Sequence, residues 1–337
     1  MTKRAAGRPA TLADVARAAG TSTAVVSYVL NNGPRPVAPA TRERVLAAAA
    51  DLEYRPNRIA RALRSRTSGV VGLVLADASN PYFAALGRHI EDLLGQREKL
   101  SLTGNAGYSP ERQEHLVDRF LAAQVDGLVI VSADGGPDAA VHARRAGVRA
   151  VYVHHGPQEP QAPVVRADNT AAVHEAVEHL RSHGHTEIAF LAGPDDAGPV
   201  GERRAAWERA GAGTAAPLLR SEYTRAAAAA LVQRLIGDGA LPAALVCATD
   251  EQAIGVLAAA HAAGRRVPGD LAVVSLDGTP DTAYTAPALT VTEQPLQAMA
   301  HQAVSLLLDD RATTRPLRAA LIIRRSCGCP LTPPRRG

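Results

Sequence analysis

The sequence predicts an α/β protein with a small all-α head at its N-terminus and a larger, doubly wound body. Three observations predict this division. Apolar side chains recur at helical spacing up to about residue 55, short continuous apolar runs alternate with helical stretches after residue 68, and positive charge is concentrated before that point. With 337 residues, the chain is long enough for two or three domains.

The head is predicted to contain three short helices. The first begins at Thr11, with apolar residues following at helical spacing, and Gly20 ends it in a tight turn. Ser22 can cap the second helix, and Pro39 suits the first turn of a third helix that ends near Leu52. The apolar positions expected to face inward on the third helix are Val45, Leu46, Ala49 and Leu52. Three such helices, with a glycine-bearing turn between the first two, are typical of a helix-turn-helix motif.

The body is predicted to contain parallel strands separated by helices. Its apolar runs are continuous rather than alternating, which indicates strands buried on both faces of a sheet. These runs are Val70–Ala76, Gly127–Ser132, Val148–Val153, Ile188–Ala192, Ala244–Ala248 and Leu271–Leu276. Helical stretches are expected near 81–94, 110–123, 137–146, 170–182, 203–211, 224–237, 251–263 and 296–309. These strand–helix units are more numerous than one sheet accommodates, so we expect two similar lobes.

The predicted domain limits follow from these patterns. Residues 1–9 are expected to form a disordered tail, 10–55 the head, 56–67 a hinge helix and linker, and 68–330 the body. Within the body, we place the boundary between lobes near 163–168, where Pro163 interrupts the pattern. The chain is expected to cross again near 290–295 and 319–326.

Positive charge is concentrated in the head. Residues 1–68 contain twelve lysine and arginine side chains against four acidic ones, a balance of +8, whereas the rest of the chain carries −4. A basic head on a mildly acidic body indicates that the head alone binds a polyanion such as nucleic acid. A solvated, disordered tail is the alternative, but the regular apolar spacing of the head argues against it.

The composition indicates the cellular compartment in which the protein works. Three cysteines are too few for a disulfide framework, and no apolar run approaches the length of about 18 residues that a membrane span needs. Lys3, Arg4 and Arg8 precede no apolar segment of the kind found in secretory signals. We therefore expect a cytoplasmic protein, associated with the nucleoid and not with a membrane.

Two groups of metal-ligating residues occur, but neither predicts a metal site. His179, His183 and His185 lie in a helix end and the following turn, with no cysteine or carboxylate set that matches a known zinc geometry. Cys327 and Cys329 are separated by one residue and have no second pair of zinc ligands, which favours a surface tail over a zinc site. We predict neither a metal nor another cofactor.

An ordered set of motifs runs through the head, and looser ones continue through the body. Those of the head are Thr11-Leu12-Ala13-Asp14-Val15-Ala16, Val26-Ser27, Val29-Leu30-Asn31, Thr41-Arg42-Glu43-Arg44-Val45, Tyr54, Pro56-Asn57 and Ala60-Arg61-Ala62-Leu63. Those of the body are Asn80-Pro81-Tyr82-Phe83, Asp126-Gly127-Leu128, Gly184-His185, Ala192-Gly193-Pro194, Asp250, Val267-Pro268 and Asp277-Gly278. The chain thereby resembles the LacI/GalR (lactose-repressor) family of bacterial regulators. The resemblance implies a DNA-binding head, a hinge helix and a two-lobed body resembling periplasmic binding proteins, in a homodimer.

The resemblance implies that the second helix enters the major groove of double-stranded operator DNA, where Thr23, Ala24 and Tyr28 would contact bases. Tyr28 stands where the family usually has arginine, which binds guanine through two hydrogen bonds that one hydroxyl cannot copy. The alternative is that Tyr28 only packs or touches phosphate. The DNA-binding residues implied are Thr11, Ser22, Thr23, Ala24, Ser27, Tyr28, Asn31, Thr41, Arg42, Asn57, Arg58, Ala60, Arg61 and Leu63.

The hinge is expected to act through Leu63. In the family a hinge leucine enters the minor groove as an apolar wedge and kinks the duplex, which lets more protein surface contact the DNA. A core position is the alternative, and Arg58, Arg61 and Arg64 disfavour it because they surround Leu63 in the sequence.

The resemblance also implies an effector cleft between the lobes. Arg203, Asp277 and Asp168 would bind polar atoms there, while Tyr82 and Phe83 would supply an apolar wall. The full implied set is Tyr82, Phe83, Ser132, His154, Asp168, Arg203, Thr249, Asp277 and Gln294. Thr249 stands where sugar-binding members often have asparagine, and His154 where an acid is common. The effector class therefore stays open among sugars, nucleosides and similar molecules, and a salt bridge between lobes is the alternative role for Arg203 and Asp277.

The predicted function is sequence-specific transcriptional regulation, as a repressor whose operator binding is controlled by a small polar ligand in the interlobe cleft. A solute-binding protein shares the body fold, but it would need a signal peptide and would not carry this head. An enzyme is also disfavoured. The sequence has no Gly-x-Ser-x-Gly elbow, phosphate-binding Gly-Lys-Ser/Thr loop or metalloprotease helix motif, so no catalytic residues are predicted.

Overall fold

The computed structural model describes residues 8, 10–30, 35–55, 67–132, 138–196, 198–211, 216–309 and 314–329. The chain divides into two compact units, Met1–Ser68 and Gly69–Gly337. We call them the head and the body. Across the described residues, no helix has the length and apolar character needed to span a membrane.

The head contains the three predicted helices: α1 (Leu12–Ala18), α2 (Thr23–Leu30) and α3 (Pro39–Asp51). A capping box starts α1. The Thr11 hydroxyl lies 2.6 Å from an oxygen of Asp14, and that carboxylate also accepts the Thr11 backbone N–H at 3.0 Å. Gly20 follows α1 with φ +61°, a left-handed conformation that glycine adopts without steric cost. The turn to α2 is therefore built from residues suited to it.

The three helices bury one small apolar core. Val15, Val26, Val29 and Val45 are its most buried members. The expectation that Leu46 faces inward was wrong, because its side chain is 46% exposed. The inward row on α3 runs through residues 45, 48, 49 and 52, at helical spacing. Residue 46 lies about 100° away from residue 45 around the helix.

The N-terminal lobe of the body is built on a five-stranded, all-parallel sheet with the order β2-β1-β3-β4-β5. Its strands are β1 (Val70–Leu75), β2 (Leu100–Asn105), β3 (Gly127–Ser132), β4 (Arg149–His154) and β5 (Val164–Val165). The helices between them are α4 (Pro81–Gln96), α5 (Pro110–Ala122) and α6 (Ala140–Arg145). Apolar clusters cover both faces of the sheet, as expected for a doubly wound layer.

The C-terminal lobe has a six-stranded sheet with the order β11-β10-β9-β8-β6-β7, in which only β11 is antiparallel to its neighbour. Its strands are β6 (Ala189–Ala192), β7 (Leu218–Arg220), β8 (Ala244–Cys247), β9 (Ala272–Ser275), β10 (Thr290–Glu293) and β11 (Ala320–Ile322). Its helices are α7 (Asn169–Ser182), α8 (Gly198–Arg209), α9 (Arg225–Gly237), α10 (Asp250–Ala262) and the 3₁₀ turn Pro280–Tyr284.

The chain crosses between the lobes more than once. It first passes from β5 to α7. After β10 it enters α11 (Leu296–Leu308), whose Met299 and Ala303 belong to the core of the N-terminal lobe. On its return Leu317 pairs with Ala167 in an isolated bridge, and the chain then forms β11 in the C-terminal lobe. Side chains at these crossings are therefore placed to respond to the relative position of the lobes.

Five strands were absent from the predicted apolar runs: β2, β5, β7, β10 and β11. The edge strand β2 shows the reason, since Leu100 is 54% and Leu102 40% exposed and the other residues are polar or glycine. In β10, buried Thr290 and Thr292 alternate with Val291, which conceals a buried strand from a search for continuous apolar residues. The remaining three strands have only two or three residues each.

Candidate functional site

The start of α2 presents an exposed surface on the head. Thr23 and Ala24 are exposed in its first turn, while Val26 is buried against the other helices. The Ser22 hydroxyl accepts the Val25 backbone N–H at 3.3 Å, which fixes the N-terminus of the helix. Tyr28 is half-buried one turn later. This surface combines the small and amphipathic side chains that can approach base edges in a major groove.

A small cavity lies between the two lobes of the body. Both lobes contribute to its lining. From the N-terminal lobe come Asn80, Tyr82, Phe83, Tyr108 and His154, and from the C-terminal lobe come Pro199, Val200, Arg203, Tyr223, Thr249 and Asp277.

Aromatic rings form much of the cavity wall. Tyr82 and Phe83 meet edge to face, with centroids 5.1 Å apart. Tyr108 of the N-terminal lobe stacks at 6.4 Å on Tyr223 of the C-terminal lobe. Gly193 makes room for Tyr223, because a Cβ at that position would lie 2.0 Å from the tyrosine oxygen. The wall therefore offers flat apolar faces from both lobes.

Arg203 is the buried cation of the cavity, with 2% of its surface exposed. Its Nε donates to Oδ1 of Asn169 at 2.9 Å, and its Nη1 donates to Asp277 at 3.0 Å and to the carbonyl of Ala248. Within the described part of the chain, Nη2 of Arg203 is buried without a hydrogen-bond acceptor. A buried, charged donor without an acceptor is unfavourable, so an acceptor atom that reached this nitrogen would be bound favourably.

Asp277 is the partner of Arg203 in this ion pair. Burial raises the pKa of Asp277 to about 6, against the opposing effect of the Arg203 guanidinium. Its carboxylate also accepts the backbone N–H of Asp250 at 3.2 Å and the side-chain amide of Gln294 at 3.2 Å. The carboxylate is therefore held by three donors.

A hydrogen-bonded chain links Asp277 to the other lobe. Gln294, at the crossing before α11, accepts the Tyr82 hydroxyl proton at 2.8 Å. Nδ1 of His154 lies 2.9 Å from the same hydroxyl. Because the single Tyr82 proton is given to Gln294, Nδ1 of His154 must carry a proton and donate. Burial and, secondarily, Arg203 hold the pKa of His154 well below its usual value, so its imidazole is neutral.

Two residues of the cavity wall adopt left-handed backbone conformations. His154 has φ +74° and Tyr108 has φ +58°. Such conformations are uncommon for residues with a side chain and persist only where the surrounding structure holds them. They occur most often at active sites and ligand-binding sites. The cavity is thus shaped by backbone geometry as well as by side chains.

Comparisons with known proteins agree with this architecture. Residues 11–57 match the model for bacterial regulatory proteins of the lacI family, and residues 177–327 match a periplasmic binding protein-like domain. Catabolite control protein A of Priestia megaterium is 32% identical over 304 residues, covering 88% of this chain and 91% of the relative. The HTH-type transcriptional regulator MalR of Streptomyces coelicolor is 38% identical over 318 residues, covering 89% of each.

The chain belongs to the LacI family of bacterial transcription regulators.

Solved structures of the LacI family extend the similarity over both units. The lac repressor dimer bound to operator and the anti-inducer ONPF matches 95% of this chain and 99% of its own, at 26% identity and a TM-score of 0.84. The regulator CelR in complex with cellobiose matches 94% and 99%, at 27% identity and a TM-score of 0.68. This LacI-family chain is therefore a DNA-binding transcription regulator with a two-lobed α/β body.

The structure brings six of the nine predicted effector residues to the cavity lining: Tyr82, Phe83, His154, Arg203, Thr249 and Asp277. Gln294 is buried behind them in the hydrogen-bonded chain. Ser132 lines a separate, smaller cavity with Gln113, outside the lining of the main one. Asp168 also lies outside this lining, because its carboxylate accepts the Ala171 backbone N–H at 2.9 Å and caps α7.

Arg203 and Asp277 form the salt bridge that was the alternative to ligand binding, at 3.0 Å, but its placement between the lobes was wrong. Arg203 lies on α8 and Asp277 follows β9, so both belong to the C-terminal lobe. Sequence reasoning also missed the neighbouring Asn169, which orients Arg203 from the first turn of α7. Tyr108 and Tyr223 were missed as well, since each lies on a loop without periodic signal.

The predicted DNA-binding residues divide into two groups. Those of the described head occupy caps or helix surfaces: Thr11, Ser22, Thr23, Ala24, Ser27, Tyr28, Thr41 and Arg42. Asn31, Asn57, Arg58, Ala60, Arg61 and Leu63 lie outside the described residues. The hinge wedge at Leu63 therefore stays a prediction from the sequence.

Cys327 and Cys329 do not form the expected surface tail. Cys327 is fully buried in a core cluster of the C-terminal lobe, and Cys329 packs against the same cluster. Sγ of Cys329 lies 3.1 Å from Nε2 of His183. His183, one of the three histidines that the sequence left without a cysteine partner, therefore has one in the fold.

Proposed function

We propose that the protein is a transcriptional repressor that binds double-stranded operator DNA as a homodimer and releases or engages it in response to a small polar effector in the interlobe cavity. The observation that carries the effector role is Arg203, a buried arginine with one donor free in a cavity lined by both lobes. Relatives named repressors include PurR of Aliivibrio fischeri and CytR of Escherichia coli. The lac repressor structure supports the dimeric, operator-bound form.

The DNA contacts that we propose follow the predicted domain limits, with 10–55 as the head, 56–67 as the hinge and 68–330 as the body. Thr23, Ala24 and Tyr28 would contact base edges, and Leu63 would enter the minor groove. The remaining polar and basic residues of the predicted set would contact phosphates, which positions the head without specifying sequence. Because operator DNA is the proposed partner, we also propose that the protein acts in the cytoplasm, at the nucleoid.

The effector that best fits the cavity is a small ring-shaped molecule with several hydroxyl or carbonyl groups. An acceptor atom would bind Nη2 of Arg203, and a neighbouring donor would bind Asp277. The stacked tyrosines and Phe83 would cover a flat or apolar face. Sugars and nucleosides both meet this description. CelR is a structural neighbour described with cellobiose, which favours testing oligosaccharides as well.

A thermal-shift screen of the full-length protein tests the proposal. The panel contains sugars, nucleosides and purines, at a pH well above the pKa of about 6 of Asp277. A ligand at about 100 times its Kd stabilises the native state by about 2.7 kcal/mol, which gives a visible shift in Tm. A true effector must also change operator affinity. A panel in which every stabilising compound leaves operator binding unchanged would contradict the proposed control by ligand.

A solute-binding protein is the second candidate, since the body matches a periplasmic binding protein-like domain. The match of residues 11–57 to the lacI family model disfavours it, because a solute receptor has no use for a DNA-binding head. We also propose that the protein is not an enzyme. The polar groups of the cavity form mutual hydrogen bonds suited to holding a ligand, and its relatives are transcription regulators.

The Tyr82 hydroxyl is expected to couple the lobes. Tyr82→Phe removes the group that bonds both Gln294 and His154, leaving two buried polar atoms without a partner. We expect a loss of about 1–3 kcal/mol in the free energy of unfolding and a changed ratio of operator affinities with and without effector. Urea denaturation and operator titration measure the two effects. Tyr284→Phe, at an 89% exposed position of the same lobe as Gln294, is the control and should change neither.

Tyr28 is expected to determine one base of the operator. Tyr28→Arg supplies the bidentate donor that reads guanine, so the preference for guanine at one position per half-site should rise by about 1–3 kcal/mol. Selection from a random duplex library, repeated for the wild type and the variant, measures this shift. An unchanged sequence preference would mean that Tyr28 does not contact bases.

A further inference from the structure

Four metal-ligating side chains gather in the C-terminal lobe, outside the effector cavity. His179 and His183 lie at the C-terminal end of α7, and Cys327 and Cys329 lie in the segment after β11. One ligand atom from each of the four lies within 4.8 Å of every other. The group draws on two segments about 150 residues apart in sequence, so it is a product of the tertiary fold.

The local structure explains how the four side chains meet. His179 and His183 are four residues apart on a helix, which places them on one face, and their rings lie 4.9 Å apart. Gly328 has φ +98°, a conformation that glycine adopts freely, and it turns the chain between the two cysteines. Cys327 is anchored in the lobe core with 0% exposure. Both segments are thus held in place by helix and core packing.

The distances suit a shared tetrahedral ion. Nε2 of His183 lies 3.1 Å and Nε2 of His179 lies 3.7 Å from Sγ of Cys329. With zinc–sulfur and zinc–nitrogen bonds of about 2.3 and 2.1 Å, a tetrahedral angle separates the two ligand atoms by about 3.6 Å. The two observed separations bracket this value, so small side-chain movements would complete the geometry.

The donor set selects the kind of ion. Two imidazoles and two thiolates make the Cys₂His₂ combination of structural zinc sites, whereas calcium and magnesium require oxygen ligands. The hydroxyl of Thr290 also donates to Sγ of Cys327 at 3.1 Å. Its oxygen accepts the backbone N–H of Arg324 at 2.9 Å, which leaves its own proton for the sulfur. A hydroxyl that donates to a ligating sulfur belongs to the outer shell of a metal site, where it stabilises the thiolate.

We propose that His179, His183, Cys327 and Cys329 form a structural zinc site that fastens the end of α7 to the C-terminal segment. The 14-residue helix α7 spans about 21 Å. Its other end carries Asn169, which accepts a hydrogen bond from Arg203. The ion therefore stabilises the C-terminal lobe and the helix that orients the cavity arginine. The site is independent of the effector, and DNA or effector binding can fail without affecting it.

The test uses untagged, full-length protein, prepared under reducing conditions. Elemental analysis should find one zinc per chain. Replacement by Co²⁺ should give the strong visible bands of tetrahedral cobalt together with a thiolate-to-cobalt charge-transfer band. Removal of zinc by a chelator should lower the Tm by roughly 5 °C or more, as expected for loss of an ion present at about 100 times its Kd.

Cys329→Ser and His183→Gln should each weaken zinc affinity about tenfold or more, the lower bound set by changes in outer-shell residues. His185→Gln and Cys247→Ala are the matched controls, since neither residue belongs to the group of four. Both should retain the wild-type zinc content. If a binding-site variant fails to fold, the cobalt spectrum of the wild type decides. A cobalt spectrum without the thiolate band would overturn the proposal. A Cys327–Cys329 disulfide that persists under the reducing conditions of the preparation would do the same.

Discussion

Replacing Arg203 by methionine is expected to abolish effector binding and to destabilise the C-terminal lobe. The substitution removes the cavity donor and leaves Asp277 buried without its cation. Breaking a buried ion pair from one side costs about 3–5 kcal/mol. Denaturant unfolding measures the stability, and calorimetry with a compound from the thermal-shift screen measures effector affinity.

The double variant Arg203→Met with Asp277→Asn separates the two roles. Without the buried charge, part of the lost stability should return, yet effector binding should stay absent because both proposed ligand-binding groups are gone. Arg204→Met is the control, because Arg204 lies next on α8 and pairs with Asp196 at 2.9 Å outside the cavity lining. An Arg203 variant that folds and retains effector affinity would show that the arginine is purely structural.

Operator affinity is expected to fall steeply with salt. Residues 1–68 carry +8 and the rest of the chain −4, so phosphate contacts should come from this N-terminal segment alone. A protein with six or more phosphate contacts loses roughly 10³-fold in affinity between about 50 and 200 mM salt, because each contact releases a bound counterion. Fluorescence anisotropy with a labelled operator, repeated over a salt series, gives the slope.

Variants that each lack one positive charge identify the residues that contribute to this slope. Arg42→Gln, on the exposed surface of α3, should reduce the log–log slope by about one unit if Arg42 contacts phosphate. Arg265→Gln, on an exposed loop of the body, should leave it unchanged. Equal slopes for the wild type and the Arg42 variant would remove Arg42 from the proposed DNA contacts.

The sequence predicted most of the long, strongly patterned elements. The three head helices and the parallel strands with apolar runs were found because helical and strand burial leave a local periodic signal. Short edge strands were missed, since two or three residues carry no period and β2 exposes its leucines. Leu46 was wrongly predicted to face inward, because it is apolar and directly follows Val45, which belongs to the buried row of α3.

The cavity could be predicted only in part. Arg203 and Asp277 were identified by resemblance, but their membership of the same lobe depends on strand order, which no local pattern contains. The role of Asn169 in orienting Arg203 is likewise a contact between residues 34 positions apart. The four-residue cluster on α7 and the C-terminal segment shows the same limit, because only the fold brings Cys329 to His183.

The measurement that tests the account most directly is an operator titration with and without the effector found by screening, on the wild type and on the double variant of Arg203 and Asp277. The account predicts that effector changes the operator affinity of the wild type by about 5–150-fold, the usual range of coupling between two sites. The folded double variant should bind operator with an affinity that effector does not change. Equal responses of the two proteins would contradict control through the interlobe cavity.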